Sequence, residues 1–388
     1  MSQEHVSSLN AQLSTLRDQL STAARDRKTV AIAGAGTKAG WGAIAPAADV
    51  TISTLGLNAL VEHRYGDLTA TVQAGASLAA VNRELARHGQ WIALDPPFGD
   101  RATIGGIVAT NDSGPRRHRF GAPRDNIIGV EIVRADGAVA KAGGIVVKNV
   151  AGYDLGRLVT GSFGSLAVIA SATFKLYPIP PASRTLVVDA SDVAPITAAL
   201  MASQLTPTAI EVQTHPLRLL VRFESIETAA EQQAAQAADV AAKQHGAATV
   251  VSAAEETALW DAHAQRPWSG DGAVVKLTLM PVDVGPTIAW LAETLRGVDW
   301  EAVGRAAVGV LLVRIGGDAA HQAHTIAALR ARVPEGRGSL VVLRASDDLK
   351  RAVDVWGPAG DALPVMRAIK QQFDPAGVLN PGRGPFGL

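Results

Sequence analysis

Leu9, Leu13, Leu16 and Leu20 recur every three or four residues among polar neighbours. That is the spacing of one helical face, so the first thirty residues are predicted to form an amphipathic helix. The pattern then shifts to short apolar runs. Thr29-Val30-Ala31-Ile32-Ala33 reads as a strand running into a glycine turn, and Val50 to Thr54, Leu60 to Arg64 and Ala70 to Gln73 read as further strands. Ser77 is placed to cap a helix that runs through Leu85 and stops at Gly89. Ile127 to Arg134 and Ala138 to Lys141 flank Asp136-Gly137, a dipeptide suited to a tight turn, and are predicted as a hairpin. A further run, Leu166 to Leu176, ends at Pro178-Ile179-Pro180-Pro181. Proline has no N–H to give to a ladder, so a boundary is expected there.

Past that boundary the chain turns alanine-rich and alternates. Strands are predicted at Thr185 to Val188, Ile210 to Val212, Leu219 to Phe223, Val274 to Leu279, Val308 to Arg314 and Leu340 to Arg344. Helices are predicted at Pro195 to Gln204, Ala229 to His245, Val284 to Leu295 and His321 to Arg332. This suggests two α+β halves on one antiparallel sheet. A last helix, Ala362 to Phe373, leads into Asp374-Pro375-Ala376-Gly377-Val378-Leu379-Asn380-Pro381-Gly382.

A chain of 388 residues suggests two or three domains at roughly 150 residues each. Lys plus Arg and Asp plus Glu are both 36, and a net charge of zero speaks against a nucleic-acid footprint, which needs a basic stripe. No apolar run reaches the roughly 18 residues of a membrane span. The N-terminus lacks the apolar stretch of a signal peptide, so the expected location is the cytoplasm. There is no cysteine. Disulfides, thiol nucleophiles and a cysteine-held iron–sulfur cluster are thereby excluded within this chain, and any redox chemistry requires an organic cofactor.

Three glycine-rich segments carry the candidate chemistry. Gly34-x-Gly36-x-x-Ala39 follows a strand and fits the dinucleotide fingerprint in its alanine form. A Rossmann turn needs a helix to open there and an acid about 20 residues on; Gly40, Trp41, Gly42 and Pro46 follow instead, and the later window offers Thr54, Leu55 and Gly56. What survives is a nest of backbone N–H groups able to hold an anion. In the second segment, Ala102-Thr103 precedes Gly105-Gly106, with Asn111, Ser113 and Gly114 beyond. It could open a short helix whose first N–H groups are free for an anion, Gly105 being small so that backbone can meet phosphate. The third segment, Lys148 to Leu155 with Gly161-Ser162-Phe163-Gly164, suggests backbone packed against a planar ring. Two separate loops on one long phosphate-bearing ligand point most economically to FAD.

With these segments in this order, the chain resembles the FAD-binding domain of the vanillyl-alcohol oxidase / p-cresol methylhydroxylase superfamily, and within it the smaller flavin subunits of bacterial glycolate oxidases. Asp95-Pro96-Pro97, Phe120-Gly121-Ala122-Pro123-Arg124-Asp125, Phe373-Asp374-Pro375 and Leu379-Asn380-Pro381-Gly382 complete the likeness, which is strong over about residues 28–180 and clear in the last fifteen. The resemblance implies an α+β fold: a two-subdomain flavin domain (1–180), an α+β cap on an antiparallel sheet (181–355) and a C-terminal segment returning to the flavin domain (356–388). It implies that Gly34, Ala35, Gly36, Thr37 and Lys38, with Thr103, Gly105 and Gly106, hold the pyrophosphate beside Pro97 and Ala102. Asn111, Ser113, Gly114, Gly152, Tyr153 and Ala167 to Ile169 would line the ring or the adenine, and Asn380 would approach the active site. The implied activity is oxidation of glycolate to glyoxylate. The implied partners are a second flavin subunit and an iron–sulfur subunit, through which any membrane association would run.

Two features depart from that pattern. Relatives acting on 2-hydroxy acids often carry a metal-binding histidine pair and a glutamate in the cap. Here the near pair is His321-x-x-His324, on a polar helix expected to be solvated, so no metal is expected. Some relatives attach flavin through a histidine of the first turn; none occurs between Val30 and Glu62, so non-covalent FAD is expected. A 2-hydroxy acid needs a cationic clamp on its carboxylate. Lys148 and Tyr153 near the expected flavin face, and Lys276, Arg314 and Arg344 on predicted cap strands, are the candidates, each as readily an ordinary surface or strand-edge group; Lys148, Tyr153 and Asn380 are the candidate catalytic residues. Alternatives left open are a non-catalytic flavin or electron-relay subunit, and a stand-alone FAD oxidoreductase for another small 2-hydroxy acid.

Overall fold

The leucine face of the first segment forms the helix Gln3–Arg25, whose Leu16, Leu20 and Ala23 are buried against Val30, Ile52 and Val378 in the computed structural model. Residues 3–145, 154–333 and 336–388 are described. Lys148, Gly152 and Tyr153 lie outside them.

The first strands, β1 (Val30–Ala33) and β2 (Val50–Ser53), pair in parallel, with Val30 opposite Val50. A second layer contains β3 (Leu60–Arg64), β4 (Thr69–Gln73), β6 (Ile127–Val133), β7 (Val139–Gly143) and β8 (Val168–Lys175), in the antiparallel order β3-β4-β8-β6-β7. Period-two alternation, reset by a bulge in β8 between Ile169 and Ser171, divides its side chains. Val72, Ile132 and Phe174 meet the helices Leu78–Leu85 and Ile104–Thr110, while Val133, Val168 and Ala170 meet the N-terminal helix and β1. Ser77 caps the first of those helices by accepting from the Ala80 N–H, and Gly89 ends it with φ of 65°. Between these pieces, β5 (Gln90–Trp91) pairs with β9 (Tyr177–Pro178). The β8 ladder ends at Lys175, ahead of the proline cluster, and the next sheet begins at Ala182. Pro178 joins only the two-residue ribbon, short enough that the missing proline N–H costs little.

From Ala182 onward the chain builds one eight-stranded antiparallel sheet. Its strands are β10 (Ala182–Asp189), β11 (Ala209–Gln213), β12 (Arg218–Ser225), β13 (Ala247–Val251), β14 (Ala273–Thr278), β15 (Trp300–Arg305), β16 (Val310–Ile315) and β17 (Ser339–Arg344). The order β13-β10-β12-β11-β15-β16-β14-β17 resolves into two copies of one β-α-β-β-α-β pattern, joined where β11 lies antiparallel to β15. The helices Ala194–Met201, Glu227–Lys243, Val284–Thr294 and Ala319–Arg332 cover one face, through Ile196, Ala237, Leu291 and Ile326. Alternation sends Glu211, Gln213, Arg222, Glu224, Lys276 and Arg305 to the other face, where the helix Ala253–Gln265 and the glycine-loop layers pack. The expected two halves on one sheet are present. The sequence reading passed over β13, β15 and the helix Ala253–Gln265. β13 is an alanine-rich edge strand, exposed at four of its five residues. β15 contains Gly304, where a Cβ would stand 2.0 Å from the Val310 carbonyl.

After the helix Leu363–Phe373 the tail turns back. The Asp374 carboxylate accepts the N–H groups of Val378 and Leu379 at 3.1 and 2.8 Å, and Leu379 bridges β1 beside Val30.

Candidate functional site

The two glycine loops meet. A Cβ on Gly34 would lie 2.4 Å from Thr103 Oγ1, and both loops border one cleft with about 800 Å³ of empty space. Its walls include Gly34 to Ala39, Thr103, Gly105, Gly106, Thr110, Phe163, Gly164, Ala167 to Ile169, Asn380 and Arg383. Among the described residues, the N–H groups of Gly34, Ala35, Gly36, Thr37 and Lys38 have no acceptor, whereas the next amide, Ala39, donates to the Gly36 carbonyl. Gly36 makes this possible: its φ of 70° turns the chain, and a Cβ there would meet nothing but open space. Arg383, itself a wall of the cleft, holds the loop by giving one Nη2 to the carbonyls of Lys38 and Ala39 at 3.0 Å each. With the carbonyls of Gly36, Lys38 and Ala39 engaged, a run of unpartnered amides is left beside the cleft, the arrangement a diphosphate requires. Nothing in the sequence pattern singled out Arg383; its Pro-Gly-Arg-Gly setting reads as an ordinary turn.

The second loop works differently from the expectation of free helix N–H groups. Ile104 and Gly105 spend theirs on the carbonyls of Ala76 and Ala74, at 2.9 and 2.7 Å, which ties the helix Ile104–Thr110 to the end of β4. Gly105 is small for the same reason: a Cβ would stand 2.8 Å from that of Ala74, so the glycine answers to packing rather than to phosphate. Gly106 is the member of the pair whose N–H stays without a partner among the described residues. At the far end of this short helix, Gly161 and Phe163 donate to the carbonyls of Val108 and Ala109 at 3.0 and 2.9 Å, which brings the third glycine segment to the cleft.

Several expected cofactor residues sit behind the walls rather than in them. Pro97 and Ala102 are buried, the latter with its carbonyl accepting from Leu78. Asn111 ends the helix with φ of 47°, and its Oδ1 accepts weakly from the Arg124 N–H. Ser113 and Gly114 present their carbonyls to Arg305 of β15, and Gly114 is pressed against Asp95 so closely that a Cβ would overlap the Asp95 carbonyl. Lys38 borders the cleft, but its ammonium faces Asp112 at 3.3 Å. Asn380 also borders it, yet its amide is committed: Oδ1 accepts the Ile32 N–H at 3.0 Å and Nδ2 donates to the Phe163 carbonyl at 2.8 Å. That makes it a clamp between tail, β1 and the Phe163 turn.

Between the cleft layers and the eight-stranded sheet runs a buried charged seam that the sequence pattern did not suggest, because its members are far apart in the chain. Arg116 donates to Glu224 through Nη2 at 2.7 Å and lies 4.4 Å over the Trp91 ring. The Arg116 backbone N–H donates to the Asp95 carboxylate, and Arg222 reaches Glu256 at 3.1 Å. His263 is fixed between Gln213 at 3.1 Å and Glu211 at 3.0 Å. Burial lifts Asp95 to about 6, against the pull of Arg116 and Arg305. Burial also lowers Lys276 on β14, a shift that Asp112 opposes and Arg305 and Arg117 reinforce. Of the other clamp candidates, Arg314 is bidentate to Asp299 at 2.7 and 2.9 Å, and Arg344 donates to the carbonyls of Trp268 and Gly270; neither reaches the cleft. His321 is half-buried and His324 exposed; among the described residues no three metal-ligating side chains converge.

Comparison with known proteins agrees with this architecture. Residues 11–143 match the profile of an FAD binding domain, and residues 356–383 that of the C-terminal domain of FAD linked oxidases. Residues 11–143 thus carry an FAD binding domain, and the C-terminal segment is similar to that of FAD linked oxidases. It is 36% identical over 172 residues to the glycolate oxidase subunit GlcE of Escherichia coli, covering 44% of this chain and 49% of that one. Over 170 residues it is 35% identical to glycolate oxidase subunit GlcD of Bacillus subtilis, covering 42% and 36%. The match to D-2-hydroxyglutarate dehydrogenase of Xanthomonas citri pv. viticola is longer, 28% identical over 92% of this chain and 84% of the other. The matched stretch thus spans about half the length, or less, of the two glycolate oxidase relatives. An alkyldihydroxyacetonephosphate synthase structure shares the fold, with a TM-score of 0.72 at 17% identity over 94% of this chain and 73% of that one. The cofactor is FAD, and the open amides of the first loop and the open space at Gly36 fit it.

Proposed function

We propose that this FAD-linked protein oxidises the CH–OH group of a small 2-hydroxy acid, as the flavin-binding subunit of a glycolate oxidase assembly that converts glycolate to glyoxylate. The observation that carries the reading is the cleft of unpartnered amides, with the half-buried Lys276 of β14 near Asp112 on the facing side of the eight-stranded sheet. In this reading the amides of Gly34 to Lys38 and of Gly106 hold the diphosphate, and Phe163, Gly164 and Ala167 to Ile169 hold an aromatic end of the cofactor. FAD, when bound, supplies the acceptor for the hydride leaving the substrate α-carbon. Lys276 then grips the carboxylate from β14, and the seam around Asp95 and Arg116 keeps water from the reacting face. The names and activities of the glycolate oxidase and 2-hydroxyglutarate relatives support this substrate class. The cysteine-free sequence supports a partner that carries electrons away, a second flavin subunit and an iron–sulfur subunit being the chemistry such relatives suggest. Among the described residues, no helix is long and apolar enough to cross a membrane, and a cytoplasmic location belongs to the same reading.

A second reading is favoured by one observation: no histidine or carboxylate among the described residues borders the cleft as a base. In that case the chain holds flavin as an electron relay while a related subunit does the chemistry. Anaerobic addition of glycolate to the purified flavoprotein separates the two. Bleaching of the visible flavin band by glycolate alone supports direct oxidation; a band that stays oxidised until partner subunits are added supports the relay, and turnover with another 2-hydroxy acid and oxygen would replace both with a stand-alone enzyme.

A further inference from the structure

The turn Asp112-Ser113-Gly114 is held from the eight-stranded sheet by Arg305. Arg305 of β15 donates through Nη2 to the Ser113 carbonyl at 2.6 Å and through Nε to that of Gly114 at 3.2 Å. The Ser113 N–H donates to Asp112 Oδ1 at 3.0 Å, and Asp112 Oδ2 faces Lys38 Nζ at 3.3 Å. Lys38 carries the last of the open amides in the flavin loop. An unbroken path of polar contacts therefore links a strand of one sheet to the loop that fits the FAD diphosphate, and Arg305, Ser113, Asp112 and Lys38 are each no more than 6% exposed.

Two details separate this path from mere glue between layers. Arg305 sits opposite Glu211 in the β11–β15 register, at the junction of the two halves. Its guanidinium nevertheless goes to carbonyls of another layer and leaves Glu211 Oε1 at 3.6 Å with no hydrogen bond among the described residues. At the other end, Lys38 Nζ and Asp112 Oδ2 are in ionic contact, yet neither makes a directed hydrogen bond there. A buried charge with unspent hydrogen-bonding capacity is costly unless a ligand uses it.

We infer that Arg305 is a positioning residue for the flavin loop: by fixing the Ser113 peptide it aims Asp112, which in turn orients Lys38 and its amides toward FAD. Coupling of this kind is reciprocal, so bound FAD tightens the grip of the eight-stranded sheet on the turn. The inference rests on the FAD assignment and names a regulation of that site, the dependence of flavin affinity on docking of a distant sheet.

The test is a titration of the full-length apoprotein with FAD, followed by quenching of flavin fluorescence, for the wild type, Arg305→Met, Arg305→Lys, Asp112→Asn and the Met–Asn double variant. Arg305→Met is expected to weaken FAD at least tenfold and Arg305→Lys to recover part of the loss. Asp112→Asn keeps the acceptor for Ser113 but loses the charge facing Lys38, and is expected to weaken FAD alone; in its background Arg305→Met should then cost less than threefold. The inference is overturned if Arg305→Met lowers the melting temperature yet leaves the FAD dissociation constant within twofold, or if the two losses simply multiply. Should Arg305→Met fail to fold, Arg305→Lys with Asp112→Asn runs the same cycle. A wild-type chain that takes up no FAD would instead remove the flavin assignment itself, a separate outcome.

Discussion

Three glycines of the cleft loops look interchangeable in sequence and do different jobs. Gly36 turns the nucleotide loop at positive φ with nothing near its missing Cβ, while Gly105 has Ala74 within 2.8 Å and Gly106 meets only a threonine hydroxyl at 3.3 Å. Gly36→Ala is therefore expected to cost the apoprotein only about 1 kcal/mol of backbone strain. FAD uptake should nevertheless fall sharply, because the methyl projects into the cleft. Gly105→Val should lower the unfolding free energy by about 1–3 kcal/mol through overpacking against β4. Parallel denaturant curves and FAD titrations of both variants check the contrast; equal effects on both measures would refute it. Asp95 makes a second prediction. Its folded value of about 6 lies above the 3.8 of an ordinary aspartate. Its contribution to stability is thus complete below pH 3.8 and lost as pH rises through 6, amounting to at most about 3 kcal/mol. Asp95→Asn removes that dependence, so the variant should gain on the wild type between pH 4 and 7 in urea unfolding; a constant difference across that range would show the carboxyl to be ordinary.

At the level of elements, regular strands and helices were largely legible because alternation and capping are local. Ser77, Gly89 and Asp136-Gly137 act where the sequence placed them. The proline cluster lies where the five-stranded sheet has ended and just before the eight-stranded one begins, and β15 was hidden because Gly304 serves close strand approach rather than a turn. The C-terminal segment returns to β1, and Asn380 is what secures it. Asn380→Ala leaves the Ile32 N–H and the Phe163 carbonyl without their partner, each such buried group costing about 1–3 kcal/mol. Hydrogen exchange should then show the tail after residue 374 and the Phe163 turn opening together, well before global unfolding. Protection lost in the tail but kept at the turn would mean the two are not joined through this side chain.

For the whole molecule, the glycine-loop layers and the eight-stranded sheet meet across an apolar cluster, Trp41, Phe98 and Phe163 with Val303, Leu312 and Leu343, as well as across buried charges. The cleft holds no histidine among its described walls, so bound FAD is expected to be released into the supernatant when the protein is precipitated with acid. Flavin colour remaining with the precipitate would reveal a covalent bond. By itself the sequence determined the alternation of strands and helices, the two sheet-forming halves, the absence of thiol chemistry and the loops that would approach a diphosphate. All of these follow from local backbone preference or from composition. Only the tertiary structure decided which amides remain open, that Asn380 and Gly105 serve packing, and that Asp95, Arg116, Glu211, Glu224, His263 and Arg305 form one seam. The physical reason is that hydrogen-bond partners and desolvation are set by residues a hundred or more positions apart, such as Arg116 and Glu224 or Arg305 and Ser113, and no local pattern records which distant group will arrive.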